Sequence, residues 1–391
     1  MGKYGFHKFI YLIGRLPLAL MMRLKYGFRT DRIPETHEPF LLLSNHTTED
    51  DMFMTVAASR KHMYFVCGEH LMRNKTYGGA LRTLADPIPV PKGGTSVKAL
   101  IEMIKRLQSG KNICMFHEGK RSFHGETIPA PESIGTLVKK AGCTLITYKI
   151  QGGYFTYPRW ARGHKRRGHV EGHVAGVYDS AYLSSLSDRE IADTVNRDLY
   201  ENAYSTQREK MWVYRGKNLA AGLDYVLFVC SECGTWDRMV TDGNTLSCEH
   251  CGKKWLHDEY GFLRGENTKF DNVLDWMRWI EKEFDTKAAQ LTPSEMLFSH
   301  PSTLLYRMDK NYRNTDLLTD TADVYTDRIE IGGYVFPFGD ITALSILYGN
   351  IVLFTYRQTY YGLTGDGFCA WKCARLWHLA KGDTDDPAKE I

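Results

Sequence analysis

The sequence has no run of about 18 uninterrupted apolar residues, the length a helix needs to cross a bilayer. The nearest approach, Phe9 to Leu24, is broken by Arg15 and Pro17 and flanked by Lys8, Arg23 and Lys25. That stretch also lacks the small-residue cleavage site of a secretory signal, and Phe6 stands where a myristoylation signal needs Ser or Thr. Excess charge is scarce too: 50 Lys and Arg against 46 Asp and Glu leave +4 over 391 residues, too little to imply nucleic-acid binding. There is no internal repeat and no low-complexity block. A disulfide framework is also missing. Of nine cysteines, Cys67, Cys114, Cys143, Cys369 and Cys373 fall in apolar runs or on helix faces, as buried free thiols do, which fits a reducing compartment.

What is present suffices for two or three domains with real cores, since 43% of the residues are hydrophobic. The mixture of long apolar and basic side chains in residues 1–30 suits a segment lying in a membrane interface, although a plain packed helix has the same composition. Arg159, Arg162, Lys165, Arg166 and Arg167, interleaved with Tyr157, Trp160 and His164, read either as a solvated loop or as an anionic-lipid contact.

From Phe40 to Ile150 short apolar runs alternate with helical stretches. Phe40 to Leu43, Met63 to Cys67, Ile88 to Val90, Ile113 to Phe116 and Thr144 to Ile150 are strand candidates. Between them Val97, Leu100, Ile101, Ile104 and Leu107 recur at helical spacing before Gly110. This order predicts an α/β fold with a mixed, largely parallel sheet flanked by helices, whose functional loops follow the strands. Ser187 and Glu190 form a capping box, with Ile191, Val195 and Leu199 on one helix face. A helix is expected near Asn272 to Phe284. Beyond Leu304 the pattern turns to β, closed by a helix at Cys369 to Leu379.

Two polar clusters directly follow strand candidates. The first is Ser44-Asn45-His46-Thr47-Thr48-Glu49-Asp50-Asp51. A histidine can take a proton from an alcohol near neutral pH if one ring nitrogen is fixed as donor, and a carboxylate about one helical turn away can fix it. The same spacing also suits a histidine capping a helix whose first turn is acidic. The second cluster is His117-Glu118-Gly119-Lys120-Arg121-Ser122, in which Lys120 and Arg121 could grip a phosphate, unless it is only a charged surface turn.

Together, Asn45-His46 with four residues before Asp51, and Glu118-Gly119-Lys120-Arg121-Ser122, resemble the lysophospholipid acyltransferase family, which includes the 1-acylglycerol-3-phosphate acyltransferases. The resemblance covers roughly Pro34 to Ala203. It implies His46 as base with Asp51 as its partner, acceptor binding by Glu118, Gly119 and Arg121, and a loop supported by Asn45; Lys120 joins them as a phosphate-binding candidate on its charge. It further implies an acyl thioester donor, either acyl-CoA or acyl carrier protein, and a lyso-lipid acceptor. Three departures stand out. His117 and Lys120 replace a usual proline and threonine, Lys92 stands where an arginine holds acceptor phosphate, and Leu145-Ile146-Thr147-Tyr148 lacks a proline.

Cys230-x-x-Cys233 and Cys248-x-x-Cys251, fourteen residues apart and each pair followed by glycine, predict a four-thiolate structural zinc ribbon. Two disulfides or an iron–sulfur site are the competing chemistries. The resulting layout is an interfacial segment at 1–30, an acyltransferase domain at 31–224, the ribbon at 225–258 and a helical linker at 259–300. A β-rich domain at 301–391 faintly resembles a pleckstrin-homology-like barrel. The expected protein is cytoplasmic and peripherally attached to the inner face of the membrane. A second reading makes it a zinc-ribbon nucleic-acid or membrane-binding protein with a non-catalytic acyltransferase-like domain. Glu232, Asp237, Asp242 and Glu249 in the ribbon argue against nucleic acid, and the intact His46 and Asp51 argue for catalysis.

Overall fold

The structure, a computed structural model, describes residues 2–72, 76–90, 97–309, 313–347 and 349–382. The chain divides into two compact units, Met1–Tyr157 with Arg166–Arg215, and Pro158–Lys165 with Gly216–Ile391. The first unit opens with helix α1 (Lys3–Tyr26), which ends at Gly27 in the left-handed conformation (φ 60°) that glycine adopts without strain.

Its sheet comprises β1 (Arg29–Thr30), β2 (Phe40–Ser44), β3 (Met63–Gly68), β4 (Ile88–Val90), β5 (Asn112–Phe116), β6 (Thr144–Gln151) and β7 (Glu171–Tyr178), in the order β1-β7-β6-β2-β5-β3-β4. Every ladder is parallel except β6 with β7, as expected for a largely parallel sheet. Helices cover both faces, so β2 is an unbroken apolar run rather than an alternating one. Leu41 and Leu43 pack with Leu107, Leu137 and Ile191 on one side. Phe40 and Leu42 pack with Met22, Tyr26 and Met54 on the other. Helix α2 (Asp51–Ala58) leads from β2 to β3, and the Ser133–Ala141 helix leads from β5 to β6. The connections leaving the adjacent strands β2 and β5 therefore run to opposite sides. A crevice opens outside the carboxyl ends of the sheet at such a switch point. The capping box at Ser187 and Glu190 forms as the sequence predicts, starting the Asp188–Leu199 helix.

In the second unit a four-stranded ribbon sheet, β8 (Met239–Asp242), β9 (Thr245–Cys248), β10 (Lys254–His257) and β11 (Leu263–Arg264), follows the first cysteine pair. The Val273–Gln290 helix is no spacer, because Trp276, Ile280 and Phe284 are fully buried and the Trp276 indole donates to the Val229 carbonyl at 3.0 Å. Seven antiparallel strands come next. They are β12 (Met296–Met308), β13 (Asn314–Tyr325), β14 (Arg328–Ile331), β15 (Tyr334–Pro337), β16 (Ile341–Leu347), β17 (Ile351–Tyr356) and β18 (Thr359–Thr364). Their order β15-β14-β13-β12-β18-β17-β16 joins two meanders, β12 to β15 and β16 to β18, through pairing of the first strand with the last, and the Ala370–Ala380 helix packs against β16 and β17. Inside this unit two buried cations on that helix are paired: Arg375 with Glu281 and Asp285, and Lys372 with Asp237.

Candidate active site

The crevice between the ends of β2 and β5 holds both polar clusters. His46 follows β2 by two residues and stacks on Phe116, the last residue of β5, with ring centroids 4.5 Å apart. Its Nδ1 donates to Asp51 Oδ2 at 2.9 Å. Asp51 is wholly buried, yet its charge is well supported. Oδ2 also accepts the Thr47 and Thr48 backbone N–H groups at 2.5 and 2.9 Å, and Oδ1 accepts the Thr47 hydroxyl at 3.0 Å. A carboxylate at the first position of α2 is further favoured by the helix dipole. With Nδ1 committed, Nε2 is left with the lone pair on a ring that keeps 22% of its surface exposed.

The loop is pinned from below. Asn45 bridges to β6, donating to the Ile150 carbonyl at 2.8 Å and accepting from the Ile150 N–H at 2.7 Å. Glu118, expected to touch the acceptor, is instead buried under the histidine. Its two oxygens accept the backbone N–H groups of His46 at 2.6 Å and Ile128 at 2.9 Å. Burial pushes its carboxyl up to about 8, while those two N–H donors pull the other way. Gly119 takes φ +66°, which a side chain would strain, and the Ser122 N–H donates to the His46 carbonyl at 3.0 Å. Lys120 is half-buried and near enough to Glu118 to favour its charged form. The Arg121 guanidinium donates to the Tyr157 carbonyl at 3.1 Å and lies 3.4 Å from Glu49. Thus His46, Asp51, Asn45, Glu118, Gly119, Lys120 and Arg121 come together, whereas Lys92 lies outside the described residues.

Several participants had no signal of their own in the sequence. Asp50 is held by Lys25 at 2.7 Å and by the Tyr26 hydroxyl, tying the end of α1 to the loop before α2. Phe116 supports the imidazole. Gly153 is required because a Cβ there would lie 2.0 Å from the Thr47 hydroxyl. The arginine-rich stretch, read either as a solvated loop or as an anionic-lipid contact, is only partly at the surface. Arg159 is buried with its guanidinium on the Ile346 carbonyl, Arg162 stacks 3.7 Å over Tyr225, and Arg166 and Trp160 are buried. Arg159 and Arg166 serve packing, while Arg162 and Arg167 remain exposed.

In the second unit the sulfurs of Cys230, Cys233, Cys248 and Cys251 all lie within 4.8 Å of one another. Cys230 and Cys251 are 3.8 Å apart, as are Cys233 and Cys248. A tetrahedral ion with metal–sulfur bonds of about 2.3 Å needs sulfur separations of about 3.8 Å, so the four thiols can hold a metal such as zinc. Gly234 and Gly252, at φ 69° and 74°, make the tight turn after each pair.

The acyltransferase family model matches residues 28–151 of this chain, the span that holds both polar clusters. Among solved structures it is similar to the 1-acyl-sn-glycerophosphate (LPA) acyltransferase PlsC from Thermotoga maritima. The TM-score is 0.42 at 18% identity, covering 51% of this chain and 79% of that one. No curated protein matches the chain.

Proposed function

We propose that the domain moves an acyl chain from a thioester, acyl-CoA or acyl carrier protein, to the hydroxyl of a lyso-lipid, with 1-acylglycerol-3-phosphate as the preferred acceptor. The observation that carries this reading is the hold on His46: a buried, fourfold hydrogen-bonded Asp51 fixes one ring nitrogen and leaves the other as base. Nε2 removes the acceptor hydroxyl proton as that oxygen attacks the thioester carbonyl. Asp51 stabilises the imidazolium, and the proton then passes to the departing thiolate. Arg121 and Lys120 supply positive charge for an acceptor phosphate. Glu118 and Asn45 act as positioning residues beneath the loop.

The zinc ribbon serves structure in this reading, and the seven-stranded sheet with its closing helix is a pleckstrin-homology-like domain. Among the described residues no helix is long and apolar enough to cross a membrane. On α1, Phe9, Leu12, Ile13, Leu16, Leu20 and Leu24 form a stripe at helical spacing, 45% to 66% exposed, while His7, Met22 and Tyr26 are buried. That stripe, beside Lys8 and Arg23, fits peripheral attachment to the inner face of an anionic bilayer. The test is thiol release from acyl-CoA with 1-acylglycerol-3-phosphate. His46→Ala should lower turnover at least ~1,000-fold with an unchanged melting temperature, in line with removal of an essential base. Near-normal transfer by that variant would sink the assignment.

A further inference from the structure

Glu49 has no part in the chemistry proposed above, yet it stands at its edge. It sits between Thr48, whose N–H is tied to Asp51, and Asp50, so its backbone is fixed by the loop that holds His46. Its side chain is 38% exposed and reaches across to Arg121, itself only 11% exposed, with Oε1 3.4 Å from one guanidinium nitrogen. The other terminal nitrogen is engaged by the Tyr157 carbonyl, and the Tyr157 ring centroid lies 5.7 Å from the guanidinium carbon. A cation beside the histidine is therefore already facing a carboxylate.

We propose that Glu49 is a specificity-determining residue that competes with the acceptor phosphate for Arg121. The inference rests on the acyl-transfer reading of this site. A phosphate monoester can grip a guanidinium through two oxygens and carries more charge than a carboxylate, so it displaces Glu49. It must then sit close to the displaced carboxylate, which lowers its affinity. An uncharged acceptor hydroxyl meets neither obstacle. Glu49 thus weakens phosphate capture and narrows the site's preference for phosphorylated over uncharged lyso-lipids.

The test has two arms. In the first, the soluble headgroup glycerol 3-phosphate is titrated calorimetrically into the full-length protein and into Glu49→Gln and Glu49→Ala. Each variant should bind about 3- to 10-fold more tightly, with the gain shrinking as salt rises. In an Arg121→Ala background the Glu49→Gln gain should fall at least twofold. In the second arm, KM for 1-acylglycerol-3-phosphate should fall relative to KM for uncharged 1-acylglycerol by a similar factor. Unchanged or weaker headgroup binding in both variants, or an equal shift for both acceptors, overturns the proposal. The binding arm reads the competition even if no acyl transfer is detected, a result that would count against the acyl-transfer reading alone.

Discussion

Replacing Asp51 by asparagine separates the charge of this side chain from its geometry. Oδ2 accepts three donors, the His46 ring and two backbone N–H groups, while Oδ1 accepts one hydroxyl that can turn round and accept instead. An asparagine must therefore place its oxygen at the Oδ2 position, because an amide nitrogen there would face three donors. The His46 tautomer is kept. Stability should fall by only about 1–3 kcal/mol as charge-assisted bonds become neutral ones. What is lost is the charge opposite the imidazolium. At about 4 Å and an effective dielectric near 20 that interaction is worth ~4 kcal/mol, or a factor of ~1,000 in rate. Partial exposure of the ring screens it somewhat, so kcat should drop roughly 100- to 1,000-fold. Thiol release measured at saturating donor and acceptor gives kcat, and thermal unfolding gives the stability change. A kcat within threefold of the wild type, in a protein of unchanged stability, would refute the idea that Asp51 supports a working base.

Gly153→Ala should push the Thr47 side chain off Asp51, lowering kcat about 10-fold or more and stability by about 1–3 kcal/mol, read by the same two assays. Glu118→Gln should leave one backbone N–H facing an amide nitrogen. It should cost about 2–3 kcal/mol near pH 5, and unfolding at several pH values should show the fall in stability between about 6.5 and 8 removed and the opposite slope of His117 uncovered below about 6.5. Protein purified without chelator should carry one zinc per chain by elemental analysis, well below which the ribbon assignment fails. Stripping the metal should change the fluorescence of Trp236, Trp255 and Trp276, which pack in or beside the ribbon.

The five apolar runs read as strands between Phe40 and Ile150 are strands; burial on both faces writes β2 and most of β6 as compact apolar blocks, while the edge strand β4 buries only Ile88. His46, Asp51 and the Glu118 cluster were legible because each directly follows such a block. Their meeting was not legible from periodicity, which says nothing of strand order; it required β5 to insert beside β2. Charge misled the reading in two places. Glu118 reads as a ligand contact but is occupied by backbone donors, and the arginine-rich stretch reads as surface while Arg159 and Arg166 are buried. The buried charges at both places have one cause. Composition reports a charge, and only tertiary structure reports the hydrogen-bond groups that allow it to be buried.

His117, which stands where the resembling family has proline, shows how this chain closes the same loop by polar contacts. A proline there would fix φ and remove the N–H that His117 donates to the Ser44 carbonyl. The imidazole adds contacts at 3.2 Å to that carbonyl and at 3.0 Å to the Ile128 carbonyl, while Glu118 takes the Ile128 N–H. Burial pulls His117 down to about 4 from 6.5, although both carbonyls favour its protonated form. It pushes Glu118 up to about 8 from 4.5. The signs differ. Between about pH 6.5 and 4 the unfolded chain binds the extra proton at His117, so this residue makes stability fall as pH falls. Between about 4.5 and 8 the folded chain holds the extra proton at Glu118, so this residue makes stability fall as pH rises. The two slopes oppose each other from about 4.5 to 6.5, and above 6.5 only the Glu118 slope remains. The loop beneath His46 is therefore most firmly held on the acidic side of neutrality, and rising pH loosens it through Glu118 alone.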